Sequence, residues 1–159
     1  MITVTRRSPT QIEVLKGESI SRYGFKHSFW FEFVRENITG RTTDRQKLGA
    51  IPKLLLRKTG DTLIVTFDDS GRFPEQSLYF LFNFRSAIQP KYLLGLLNSR
   101  LLNFYFRRRC LTNPDSIAQV KKTDLDAIPI RIPQQTSERD MAEQRHVISL
   151  VEERLRADS

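Results

Sequence analysis

Leu93, Leu97, Leu101 and Phe104 recur at three- and four-residue spacing, and Leu94, Leu102 and Tyr105 widen the stripe. That spacing predicts one apolar-faced helix of about four turns, at about 3.6 residues per turn. Pro90 can open it, because the first helical turn leaves its N–H groups unpaired in any case. The helix runs directly into Arg107-Arg108-Arg109. A polar loop with Asn113-Pro114 follows, then Lys121-Lys122, Thr123 as the cap of a short turn, and a strand-like Ile128–Pro133. A buried helix is thus expected to deliver five cations to one loop region.

The rest of the chain reads mainly as strands. Thr10–Leu15 alternates enough for a short strand, Gly17 ends it, and Glu18–Tyr23 has room for one helical turn. Phe29–Val34 is dense in aromatic residues and predicts a strand with one buried face. Residues 35–50 break the pattern with two glycines and three threonines and read as a long loop, a length that in compact domains goes with function or mobility. A meander follows: strands over Lys53–Lys58, Thr62–Phe67 and Ser77–Phe84, with turns at Gly60-Asp61 and Asp68–Gly71. Turns this short imply antiparallel neighbours. Ser137–Asp140 resembles a capping box, and Val147, Ile148, Val151 and Leu155 give a closing helix to about Arg156 its apolar stripe. The expected fold is α+β: one domain over residues 1–159, with a twisted, mainly antiparallel sheet, one central buried helix and a C-terminal helix. Its core spans residues 10–133 and its closing helix residues 137–156.

Charge sharpens this picture. The net charge is +8, and residues 76–122 alone carry eight cations against one anion. A cationic patch on a folded scaffold suits a polyanionic partner. Arg107, Arg108, Arg109, Lys121 and Lys122 form its dense part and suit phosphates. Arg41, Arg45 and Lys47 stand among Asn37, Thr42, Thr43 and Gln46, and that mixture of donors and acceptors suits base edges. The alternative for residues 35–50 is a solvated loop.

Reaction chemistry is missing. The chain has no glycine-rich phosphate loop, no GxSxG and no histidine pair at ligand spacing. Asn113-Pro114-Asp115 lacks the second proline and the aromatic ring that would stack on a flipped base. Asp68 and Asp69 beside Ser70-Gly71 read as turn residues and not as metal ligands. The single cysteine, Cys110, excludes an internal disulfide and reads as structural. No apolar run reaches the roughly 18 residues of a membrane helix, and no signal peptide is visible, so a cytoplasmic protein without a membrane partner is expected.

Four stretches share a resemblance. Leu15–Tyr23 (LKGESISRY), Pro52–Arg57 (PKLLLR), Tyr92–Ser99 (YLLGLLNS) and Leu125–Ile130 (LDAIPI) occur in this order. They resemble the motifs of TaqI-like C-terminal specificity domains, the target-recognition parts of adenine-N6 DNA methyltransferases and of fused type IIG restriction–modification enzymes. The final helix is also similar to the segment that follows the recognition domain in type I specificity subunits. The resemblance implies a double-stranded DNA recognition domain, covalently linked to or associated with a methyltransferase domain. That catalytic domain is expected upstream and holds S-adenosylmethionine; this chain then carries no catalytic residue, cofactor or metal of its own. Lys53 and Arg57, the cations of the second motif, join the candidate DNA contacts. The alternative expectation is an interaction or scaffold domain that docks a methyltransferase or nuclease partner.

Overall fold

The computed structural model describes residues 2–38, 42–110 and 118–157. Strands β1 (Ile2–Thr3), β2 (Ile12–Leu15), β3 (Phe29–Phe31) and β6 (Phe73–Pro74) form one sheet, in the order β1-β3-β2-β6. Strands β4 (Lys53–Arg57), β5 (Val65–Asp68) and β7 (Leu78–Leu81) form a second, in the order β5-β4-β7. The helices are α1 (Arg45–Leu48), α2 (Pro90–Asn98), α3 (Arg100–Cys110), α4 (Lys122–Asp126) and α5 (Glu138–Ala157). The α+β class therefore holds, with the expected single sheet divided in two.

Strand β4 lies at the centre. It pairs antiparallel with β5 on one side and β7 on the other. Its side chains alternate across the sheet, as a two-residue period requires. Leu54 and Leu56 join Leu63, Val65, Leu94, Leu97 and Phe106 in the larger core, and Leu55 joins Leu15, Ile20 and Leu78 in the smaller. Both faces of β4 are covered, which explains why its sequence, KLLLR, is a continuous apolar run. The short turns suggested β4, β5 and β7 as sequential neighbours. Instead the chain leaves after β5, and β6 pairs in parallel with β2, Val14 opposite Phe73. It then returns to the far edge of β4 as β7.

The long helix is two helices. Ser99 has φ −65° and ψ 153°, outside the helical region. Its hydroxyl accepts from the Leu102 N–H at 3.1 Å and so caps α3. The break rotates the apolar stripe: Leu102 and Phe106 turn inward, whereas Leu101 is 74% and Phe104 60% exposed. The polar residues on either side of the break are the buried ones, Asn98 and Asn103. Asn98 Oδ1 accepts from the Val65 N–H at 3.1 Å, and its Nδ2 donates to the Val65 carbonyl at 2.8 Å. Asn103 Oδ1 accepts from the Leu63 N–H at 2.8 Å. These amides close the free edge of β5.

Helix α5 lies along α2. A Cβ at Gly95 would stand 2.8 Å from Val147 Cγ1 and 2.9 Å from Val151 Cγ2, so the two helices meet at the one position without a side chain. The Ser137 hydroxyl accepts from the Asp140 N–H at 3.2 Å, the expected half of the capping box. The Asp140 carboxylate bonds the Gln134 N–H instead of completing it.

Three further expectations change. Residues 128–133 form no strand. Thr123 lies inside α4, and the N–H of Lys121, the residue that caps it, donates to the Asp124 carboxylate at 3.0 Å. The stretch 35–50 is not structureless, because it holds a turn of 3₁₀ helix at Arg35–Asn37 and all of α1.

Candidate nucleic-acid interface

Helix α1 is short, and its surroundings hold it. Thr42 Oγ1 accepts from the Asp44 N–H at 3.2 Å. The Asp44 carboxylate in turn accepts from the N–H groups of Gln46 and Lys47 at 3.0 and 3.1 Å. These bonds, that from Lys47 first, hold the Asp44 carboxyl below its ordinary range. Leu48 is buried beneath. The Arg45 guanidinium lies 4.8 Å over the Phe33 ring and 5.8 Å from that of Phe73. It also donates to the Phe33 carbonyl at 3.4 Å. Gln46 and Lys47 remain exposed, Lys47 pairing with Asp44 at 3.5 Å. Arg41 lies outside the described residues, as does the Asn113-Pro114-Asp115 loop.

The second basic region gathers at the turn after β4. Arg57 is half-buried there and donates to the Thr59 carbonyl at 2.8 Å. Arg107, at the end of α3, forms an ion pair with Asp61 on the same turn. The chain leading to Lys121 passes alongside it. The Gly60 N–H donates to the Ala118 carbonyl at 2.8 Å, and the Val120 N–H to the Lys58 carbonyl at 2.7 Å. Arg107 and the segment Ala118–Val120, just before Lys121, thus both meet the chain at Lys58–Asp61. Arg108 lies 5.5 Å over the Phe104 ring, Arg109 is exposed, and Lys122 pairs with Asp126 at 2.6 Å.

Lys53 does not belong to this surface. It is wholly buried, with Nζ 2.7 Å from the Asp68 carboxylate and 3.1 Å from the Ala50 carbonyl. Arg72 adds a contact to Asp68 at 3.5 Å and one to Glu13 at 3.2 Å. An ion in that position cannot reach a polyanion, so Lys53 is withdrawn from the candidate contacts. Asp68 is correspondingly more than a turn residue, although it also accepts from the Ser70 N–H at 3.2 Å.

A groove of about 630 Å³ lies beside the first region and includes Lys58 at the end of β4. It opens where the first sheet meets β7. Its lining includes Asn37, Thr42 and Leu48, the rings of Phe31, Phe33 and Phe73, and Lys58, Glu75, Gln76 and Tyr79. Lys58 escaped the sequence reading. Its Nζ lies 4.5 Å over the Tyr79 ring and donates to the Gln76 carbonyl at 2.5 Å. Its position directly after the Pro52–Arg57 motif was the available signal.

A family model of the TaqI-like C-terminal specificity domain matches residues 12–130. This chain belongs to that family. Two of the family-like motifs meet inside the specificity domain, where the Tyr23 N–H donates to the Val65 carbonyl that Asn98 also bonds. Tyr23 stands at φ 68°, and burial pushes its hydroxyl pKa up. Among solved structures, the fold is similar to that of the Type IIL restriction-modification enzyme MmeI, determined in complex with DNA. The TM-score is 0.55 at 14% identity, over 91% of this chain and 23% of that one. The specificity domain thus spans about a quarter of that protein. No curated protein matches the sequence. Among the described residues, no helix is long and apolar enough to cross a membrane.

Proposed function

We propose that this specificity domain reads a short double-stranded DNA sequence for a restriction–modification methyltransferase of the adenine-N6 type, and presents the site to a separate catalytic domain in the cytoplasm. The observation that carries this reading is the family match over residues 12–130, and two regions of the fold support it: a polar, side-chain-rich one at Thr42–Leu48 and a cationic one where Arg107 meets Asp61. Protein–DNA interfaces need both kinds of contact: phosphates fix register, and base edges give discrimination. In this reading Arg107, Arg109 and Lys121 hold backbone, and the α1 segment lies against bases. Arg57, Arg108 and Lys122 add positive potential near them. The methyl donor, S-adenosylmethionine, belongs to the catalytic domain, and no step of the chemistry passes through this chain.

The test is selection from a duplex library with a randomised central segment, followed by titration of an enriched and a scrambled duplex at several salt concentrations. Enrichment of one short sequence and a steep salt slope, about 0.9 per neutralised phosphate, are expected. No enrichment, or a flat slope, overturns the reading. The exposed Leu101 and Phe104 on α3 favour a second reading, in which this face docks on a methyltransferase or nuclease partner. A domain that captures such a partner but enriches no sequence would establish that reading in place of the first.

A further inference from the structure

The four residues of α1 do four different things. Leu48 fills the core beneath. Lys47 turns back to Asp44. Arg45 lies over Phe33 and Phe73 and bonds the Phe33 carbonyl, which spends its cation on the first sheet. Gln46 is exposed, and among the described residues its side-chain amide has no hydrogen-bond partner. The chain is tight on the far side as well, because a Cβ at Gly49 would stand 3.2 Å from Phe73 Cε1. The segment Thr42–Gly49 is therefore fixed by two nested caps, one buried leucine and one stacked arginine, and it presents one uncommitted carboxamide.

We infer that Gln46 is the specificity-determining residue of this segment and that Arg45 is its positioning residue. The inference rests on the DNA-reading function proposed above. A carboxamide offers one donor and one acceptor side by side, the pattern that matches the N7 and N6 amino group of adenine in the major groove. The base read by Gln46 is accordingly an adenine. Arg45 fixes the angle at which that amide leaves the surface. This assignment reverses the sequence-level expectation, which counted Arg45 among the base-reading cations. A guanidinium stacked on two rings has its face and one N–H occupied, and so has less to offer a base than the free amide next to it.

The experiment is the duplex selection repeated with Gln46→Ala, Arg45→Ala and Arg45→Lys, with melting temperature and salt slope measured for each. Wild type should enrich an adenine at one fixed position. Gln46→Ala should lose the preference at that position alone, with affinity for the selected duplex falling roughly 5- to 150-fold and affinity for scrambled duplex unchanged. Arg45→Ala should flatten the same position and leave the salt slope as in wild type. Arg45→Lys, which keeps a cation over the rings, should restore part of the preference. A Gln46→Ala protein that selects the wild-type sequence overturns the inference. So does an Arg45→Ala protein that keeps the full preference, loses it at a different position, or shows a slope lower by about one. Gln46 is exposed, so its variant decides the matter even if Arg45→Ala fails to fold. A wild-type domain that enriches no sequence overturns the function itself, an outcome distinct from all of these.

Discussion

Asn98 exchanges two hydrogen bonds with the backbone of Val65, accepting from its N–H at 3.1 Å and donating to its carbonyl at 2.8 Å. Strand β5 is an edge strand, so these backbone groups face away from β4. The carboxamide takes the place of a neighbouring strand and ties the end of α2 to the sheet. Replacing Asn98 with leucine would leave the buried Val65 N–H without its partner. A loss of about 2–4 kcal/mol is expected, since each unsatisfied buried group costs about 1–3 kcal/mol. Denaturant titration measures it. An unchanged midpoint would mean that water replaces the amide freely.

Lys53 and Asp68 form a fully buried pair. Lys53→Met should destabilise the fold by about 3–5 kcal/mol, because it strands a carboxylate in the core. Lys53→Met with Asp68→Leu should recover much of that loss. The fraction of Lys53→Met that remains folded should bind duplex DNA as wild type does. A selective loss of DNA affinity without a change in stability would return Lys53 to the binding surface.

The arginines at the end of α3 differ in their commitments. Arg107 is paired with Asp61, whereas Arg109 is exposed at the same helix end. Arg109→Ala should lower the salt slope of duplex binding by about one unit per lost phosphate contact. Arg107→Ala should lower it less, since the removed cation was already shared with a carboxylate. Equal slopes for the two variants would show that the Asp61 pair opens on DNA.

Acid should weaken the junction between the chain after Ile128 and α5. The Gln134 N–H, followed by Arg131 and Ser137, holds the Asp140 carboxyl below its ordinary range. A group whose folded-state pKa is depressed contributes stability that is present above the unfolded pKa and is lost as pH falls through the folded value. Melting temperature should therefore decline below about pH 4, where unperturbed aspartates titrate. Asp140→Asn should lower the neutral-pH value and flatten this acid limb. An unaltered limb would assign the acid sensitivity to other carboxylates, among them Glu152, which Lys91 holds low in the same way.

Much of this architecture was legible in the sequence because local pattern and tertiary demand agreed. KLLLR reads as a strand, and two-sided burial makes it one. The apolar stripe of α5 and its Ser137 cap are local signals too. The family motifs were recognisable, but their roles were not. Lys53 reads as a basic surface residue until its partner is known, and that partner is fifteen positions away in the next strand. The helix break at Ser99 was hidden for the same reason. An asparagine beside leucines looks like a polar interruption, and only the open edge of β5 gives Asn98 and Asn103 something to bond. In the candidate site, the sequence pointed to both cation-bearing segments and missed the groove lined by Phe31, Phe33, Phe73 and Lys58. That groove depends on β6 leaving for the other sheet, a long-range choice that short turns do not encode.

The segment between Arg107 and Ala118 begins and ends against two adjacent residues. Arg107 pairs with Asp61, and Ala118 accepts from Gly60, one position away. Its two ends are therefore fixed to a common anchor, independent of what lies between. Closing a longer connection across a fixed gap costs only about 0.6 kcal/mol for each doubling of length. The domain can thus exchange this insert for one of another length or composition while α3, α4 and both cores keep their places. The DNA-reading function proposed above could thereby change its target here at almost no expense in foldability.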